Sequence, residues 1–247
     1  MGTQEIKDLK IFGIANTTGG VFRDVFINGT GRISGDLESE SLAVNGNATI
    51  IGSITTKKTK ISGNCTIDGS FICDSYKVLG MSTISGDLTA KNIHVEGYIK
   101  ITESIKAETV NISGKLITEG NCNAEVFEST GTFEIEGLLN GDKINIELLG
   151  KCKASEMGGA NISIRRKNTD VPILKQILSS IIDSVKERPL MQVDSIEGDD
   201  IYISYTQAKV VRGKHVKIGP DCSVELVEYS EDYEKAPDSK VQSSKRI

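Results

Sequence analysis

Tryptophan is absent from this 247-residue chain, aromatic residues reach only 5%, and there are just two histidines and four prolines. No basic excess exists either: the formal charge is −5 and the isoelectric point about 5.3, which removes the electrostatic footprint of a nucleic-acid binder. No stretch approaches the roughly 18 apolar residues of a membrane span, and no secretory h-region opens the chain. Ile6 stands where an N-myristoylation signal needs Ser or Thr. The five cysteines are an odd number without paired or metal-ligand spacing, which argues against a disulfide framework or a zinc site. These absences point to a cytoplasmic protein. What is abundant is glycine, at 25 residues, together with Ile, Val and Thr, a composition suited to β structure in small, regular layers.

The glycines are phased. Gly29, Gly46, Gly63, Gly80, Gly97, Gly114 and Gly131 recur every 17 residues, and two positions before them stand Ile27, Val44, Ile61, Val78, Val95 and Ile112, then Ser129. A second series keeps the same step: Gly35, Gly52, Gly69, Gly86, Gly120 and Gly137, interrupted by Glu103. Its apolar partners are Ile33, Ile50, Ile67, Ile84, Ile101, Thr118 and Ile135. Alternate residues between the two series are also apolar or small, as in Val25, Leu42, Thr59, Tyr76, Ile93, Val110, Phe127 and Ile144. Period-2 alternation nested in a longer repeat means short strands, each hiding one face, joined by tight corners. The expected fold is therefore all-β: a parallel β-helix of about 17 residues per turn, in which each layer contacts only its neighbours. Glycine at the corners is expected because a tight bend needs backbone angles that a Cβ disfavours.

Outward columns stack too. Glu40, Lys57, Asp74, Lys91 and Glu108 alternate in sign from layer to layer, an arrangement that penalises a slipped register. Thr49, Thr66 and Thr83 form a short ladder, and Lys57, Lys58 and Lys60 a small basic cluster, both read as exposed β surface.

Along the chain, residues 1–24 read as an N-terminal segment with an irregular first layer around Ile11-Phe12-Gly13, and 25–166 as the regular coil. Residues 170–188 change to helical spacing, with Leu174, Ile177, Leu178, Ile181, Ile182 and Val185 on one face. Asp170 is its N-cap and Pro189 its stop. This amphipathic helix is the candidate interaction element, packing on its own coil or meeting a partner, and Arg165, Arg166 and Lys167 before it allow a peripheral membrane contact. Residues 190–229 resume β character, with Ile201 and Ile218, and Val193 and Val210, again 17 apart. From 230 to 247 the chain is charged and without a core pattern, which predicts a disordered tail.

Catalysis needs convergent groups, and few are present. His94 lies between inward Ile93 and Val95 and therefore points to solvent, and His215 has no ligand-spaced partner. Cys65, Cys73, Cys122 and Cys152 fall on inward columns, where thiols act as small apolar residues. No GxSxG, Walker A or zinc motif occurs. The 17-residue turn and the gap between apolar residue and glycine differ from the hexapeptide acyltransferase pattern. No enzyme activity, catalytic residue, cofactor or metal is expected, and a β-helix by itself fixes no function.

The phased segment INGTGRISGDLESESLAVNG, the layers VEGYIK and ISGKLITEG, and the later IYISYTQAKVVRGKHVKIGPDC resemble the bactofilin family of bacterial cytoskeletal proteins over residues 5–229. They are most similar to its longer Firmicute-type members, which carry the same helix-interrupted C-terminal part. The resemblance implies a right-handed coil of triangular cross-section that polymerises end to end with itself, without nucleotide, into non-polar filaments. It also implies a scaffold for cell-envelope proteins at the inner face of the membrane. Physical reasoning reaches self-association separately, since the last layer of an uncapped coil offers unpaired backbone groups and an open core. The other reading is a non-polymerising adaptor that binds a partner through the helix or the outer faces.

Overall fold

A computed structural model describes residues 6–167 and 189–247. Among them there is no helix, and nineteen parallel strands wind into a β-solenoid of about 13 turns. The first strands are β1 (Leu9–Ile11), β2 (Ile14–Ile27) and β3 (Thr30–Val44). The regular middle holds β4 (Asn47–Ile51), β5 (Ile54–Ile61), β6 (Asn64–Asp68), β7 (Phe71–Val78), β8 (Met81–Ile84) and β9 (Leu88–Val95), then β10 (Tyr98–Ile101), β11 (Ile105–Ile112), β12 (Lys115–Thr118) and β13 (Cys122–Ser129). Longer strands finish the coil: β14 (Thr132–Leu148), β15 (Lys151–Arg166), β16 (Leu190–Ile203), β17 (Thr206–Ile218), β18 (Ser223–Lys235) and β19 (Lys240–Arg246).

Register explains the repeat. Val44 pairs with Ile61, Ile61 with Val78 and Val78 with Val95, so residues 17 apart stand directly above one another. All twelve expected core residues are buried at 0% exposure: Ile27, Val44, Ile61, Val78, Val95, Ile112, Ile33, Ile50, Ile67, Ile84, Ile101 and Ile135. The column through Ile27 runs the length of the molecule, from Ile11 through Ile146, Ile164, Ile203 and Ile218 to Lys235.

The corner glycines have a different reason from the one the sequence suggests. Along the first series the backbone is not in the left-handed region. Instead the corners stack so closely that a Cβ on Gly46 would lie 2.0 Å from the Gly29 carbonyl oxygen, and one on Gly80 2.1 Å from that of Gly63. The same carbonyls are engaged in the ladder, for example by Asn47 N–H to Gly29 at 2.9 Å. Missing side-chain volume between layers is what these positions require. Only in the second series does the bend itself matter, at Gly35 (φ +105°) and Gly52 (φ +143°). There the next residue closes the corner: the Asp36 carboxylate accepts from Ser53 N–H at 2.8 Å, and that of Asp87 from Ser104 N–H at 3.0 Å. Glu103, in place of a glycine, is exposed, and its carbonyl accepts from Thr118 Oγ1 at 2.6 Å.

Two inward columns trade volume along the coil. One grows, through Gly31, Ala48, Cys65, Ser82, Ile99 and Leu116 to Phe133. The other shrinks, from Phe22 and Ser39 through Thr56, Cys73, Ala90, Ala107 and Ala124 to Gly141. Close packing lets a large residue in one column face a small one in the other, as Phe133 faces Gly141. One position breaks the economy. Ser129 sits between Ile112 and Ile146, is 2% exposed, and its hydroxyl has no hydrogen-bond partner. Ser129→Val should therefore stabilise the fold by about 1–2 kcal/mol, since it removes an orphaned polar group and adds apolar burial. A rise in the urea midpoint at unchanged slope would show this, and a fall would refute it.

Three expectations change. The turn from β16 to β17 is not 17 residues deep: Val193 pairs with Ala208, Ile201 with Val216 and Ile203 with Ile218, a step of 15, and the step then returns through 16 (Val211 with Val227) to 17 (Ile218 with Lys235). The turn is shortened by one residue at each of two corners: Ile203 to Thr206, with Tyr205 at φ 52°, is one residue shorter than Ile112 to Leu116, and Val193 to Ile196 is one shorter than Ile135 to Leu139. Residues 230–247 are not a disordered tail. They complete β18 and form β19, in which Val241 pairs with Val224 and Ser244 with Val227. Backbone pairing orders this segment although its side chains lack a core pattern. In the N-terminal segment, β2 already forms a full strand before residue 25. The expected helix at 170–188, with Leu174, Ile177, Leu178, Ile181, Ile182 and Val185, lies outside the described residues.

Candidate interaction site at the ends of the coil

The lateral surface gathers little chemistry. His94 Nε2 meets Glu96 Oε1 at 2.9 Å, and His215 lies between Asp232 (3.0 Å) and Glu231 (3.4 Å). Among the described residues no group of three or more His, Cys, Asp and Glu is placed to hold a metal. All five cysteines are buried, and burial pushes the thiols of Cys65, Cys73 and Cys122 up to about 12 and those of Cys152 and Cys222 to about 11, so they are neutral packing groups. A shallow groove runs over the later turns between Lys143, Arg165, Tyr202, His215 and Lys217. Two of its cations are engaged: Arg165 lies 4.2 Å over the Tyr202 ring, and Lys217 bonds Glu234 at 2.5 Å.

Outward charges tie neighbouring turns. Lys57 donates to Glu40 and Lys91 to Asp74, each at 2.8 Å, and those carboxylates raise the lysines' proton affinity. Exposed pairs of this kind set register more than they stabilise. The Thr49, Thr66 and Thr83 ladder stands in register on another side. None of these groups converges on a point.

The two ends differ from the flanks and from each other. In the first turn, β1 pairs only with Val25–Ile27 of β2. Upstream, the residues Ile14 to Phe22 pair with β3 on one edge, and on the other have no ladder partner among the described residues. None of those nine residues is charged and none is proline. Their apolar side chains are open as well: of eight strongly exposed large hydrophobic residues, Ile6, Phe12, Ile14 and Val21 lie in this turn, with Ile14 at 89% exposure. Inward, the turn offers Leu9, Ala15 and Phe22, only partly covered against the core. Natural sheets blunt such an edge with charge, proline or a bulge. Here the one such device is a register shift between Thr18 and Gly20.

The last turn is guarded. The long inward column ends in Lys235, above Ile218. The glycine column Gly198–Gly213 continues to Tyr229 and ends in Arg246, and Ser244 covers Val227. Lys235 Nζ donates to the carbonyls of Ser239 (2.9 Å) and Ala236 (3.2 Å), and Arg246 Nε to that of Ser230 (3.1 Å). Seven of the thirteen residues in Ser230–Lys235 and Lys240–Arg246 are charged.

Sequence reasoning located function at the ends without telling them apart. Phe12, Ile14 and Val21 were not singled out, because apolar residues in a β repeat read as core. Their signal is three apolar residues out of phase with the inward columns. Lys235 and Arg246 stand 17 residues after Ile218 and Tyr229, so their signal is a charge arriving at the repeat step itself.

No family model matches the chain, and no solved structure does either. Two curated relatives share a segment of 111 residues with it: the uncharacterized protein YhbE of Bacillus subtilis (strain 168), 35% identical, and the uncharacterized protein YhbF of the same strain, 32% identical. The segment is 44% of this chain, and 43% and 42% of the two relatives, so the chain spans less than half of their lengths in these matches.

Proposed function

We propose that this chain is a structural protein that self-associates through the ends of its solenoid, with no nucleotide, to build a scaffold or filament of the bactofilin type. The coil is then right-handed and triangular in section, and the assembly works in the cytoplasm, in peripheral contact with the membrane and its envelope proteins. The observation that supports this most is the uncharged, unpaired strand edge Ile14–Phe22 with exposed Ile14 and Val21 beside it. Such an edge is a template for another strand, and a coil end of matching cross-section pairs all its sides together. Among the described residues the lateral surface, by contrast, holds ion pairs between neighbouring turns and no convergent group of His, Cys, Asp and Glu.

Sedimentation velocity of the purified chain at micromolar concentration, without nucleotide, tests the proposal. The expected result is a concentration-dependent species heavier than the 26.6 kDa monomer. A monomer throughout the range would refute self-association and favour an adaptor that binds other proteins.

A further inference from the structure

We infer that charge selects the register of the turns from β16 to β18 where hydropathy leaves a choice, which makes them a module that loosens as ionic strength rises. The device lies within one chain and is independent of the association proposed above.

Charges here are sorted by strand. β16 carries Asp194, Glu197, Asp199 and Asp200 and no base. β17 carries Lys209, Arg212, Lys214, His215 and Lys217 and no acid. β18 returns to Glu225, Glu228, Glu231, Asp232 and Glu234, with Lys235 its one base. At a step of 15 every acid of β16 stands against a base of β17. Asp194 meets Lys209 at 2.9 Å, Glu197 meets Arg212 at 3.4 Å, Asp199 meets Lys214 at 3.0 Å, and Asp200 is in register with His215. On its other side β17 meets acids again: Arg212 bonds Glu228 at 2.6 Å, His215 bonds Asp232 at 3.0 Å and Lys217 bonds Glu234 at 2.5 Å. The Asp194 carboxylate, with Glu225 beyond it, raises the proton affinity of Lys209.

Hydropathy admits the longer step as well. Seventeen residues on, Met191 would meet Ala208, Val193 would meet Val210 and Ile201 would meet Ile218, all apolar. That step sets Asp194 against Val211 and Asp199 against Val216, which are 0% and 2% exposed, so two carboxylates would face the core. Skipping a turn would set the acids of β16 against those of β18, and like charges on facing strands repel. Glycine stacking is compatible with 15, since Gly198 and Gly213 stand in register, but the shortened corners Asp194-Ser195 and Ser204-Tyr205 contain none. Each exposed pair stabilises little alone, yet a wrong register loses all of them together. The paired side chains of Lys209, Asp194, Lys214 and Asp199 are more than half exposed, which leaves them open to screening by salt.

The test reads register in the full chain. Gln192 and Gln207 stand in register with their amides 3.3 Å apart, so Gln192→Cys with Gln207→Cys should form a disulfide against a background of buried native thiols. Its effective concentration is measured against a glutathione redox buffer. Lys209→Glu with Lys214→Glu, on exposed side chains, should lower that value by roughly 10-fold or more at low salt. Adding Asp194→Lys, Asp199→Lys and Glu225→Lys inverts the charges and keeps the pairing, and should restore the parent value to within roughly threefold. Raising sodium chloride from about 0.02 M to about 1 M should lower the parent value, while Thr49→Cys with Thr66→Cys, in register in the regular coil, should not respond. A value that ignores the reversal would overturn the inference and leave the step to hydropathy and the Gly198–Gly213 stack. A reversal that the inverted charges do not rescue would overturn it too, because the loss would then come from fit and not from charge. Insensitivity to salt would overturn the loosening module.

Discussion

Gly80→Ala is expected to destabilise the solenoid by about 3 kcal/mol or more, while Gly13→Ala, in the same column, should change stability by no more than about 0.5 kcal/mol. The two positions share sequence context and differ in what lies beneath them. A Cβ on Gly80 would sit 2.1 Å from the Gly63 carbonyl oxygen and 2.6 Å from that of Ser62, both backbone atoms held in the ladder. Relief requires the turns to part at that corner, which breaks hydrogen bonds such as Gly80 N–H to Ile61 at 3.1 Å and Met81 N–H to Gly63 at 2.9 Å. Gly13 lies in the first turn, and a Cβ there meets nothing within 4 Å. Urea unfolding followed by circular dichroism measures both. Equal effects at the two sites would mean that glycine serves backbone conformation and not the spacing of the turns.

That comparison also marks the limit of what the residues disclose before folding. The repeat, the strands and five of the six inward positions per turn are legible because burial recurs at the same register wherever the step stays at 17. The purpose of the glycines is not, because bending and close stacking select the same residue. The column from Gly31 to Phe133 is hidden for another reason: its members share no chemical type, passing from Gly, Ala, Cys and Ser to Ile, Leu and Phe along the coil. Late registers escape because two corners of the turn between β16 and β17 are each one residue shorter, which changes the step.

The candidate site is subject to the same limit in sharper form. An interior turn has a neighbour on each side, so its side chains report burial, and a pattern appears. A terminal turn has a neighbour on one side only. At the head, Leu9, Ala15 and Phe22 stay only partly covered at inward positions, while Ile14 and Val21, above Thr30 and Glu38 in outward columns, lie in solvent although they are as apolar as core residues. At the tail it permits Lys235 to stand above Ile218, in a column otherwise closed to charge. Charged composition there imitates a disordered tail, while the backbone continues the ladder through β19. Hydropathy alone therefore inverts both ends: the exposed apolar first turn resembles core, and the charged last turn resembles linker.

Phe127→Ala should cost about 3–5 kcal/mol and should also divide the cooperative unit. Phe127 is at 0% exposure and meets Phe133 edge-on at 5.3 Å within one turn. Truncation leaves a void that neighbours cannot fill, because Ala124 and Gly141 beside it are already small and the ladders of β11, β13 and β14 fix the walls. In a globular core such a loss is shared among many contacts. In a solenoid each turn touches only the turns above and below, so stability is close to a sum of layer and interface contributions. A weak layer near mid-chain then separates the turns before it from the turns after it. Urea unfolding of the variant should show two steps where the parent shows one, and hydrogen exchange should report loss of protection first around β13 and β14. A single transition shifted by less than about 1 kcal/mol would show instead that the layer relaxes around the void, and that coupling along the coil extends further than its nearest neighbours.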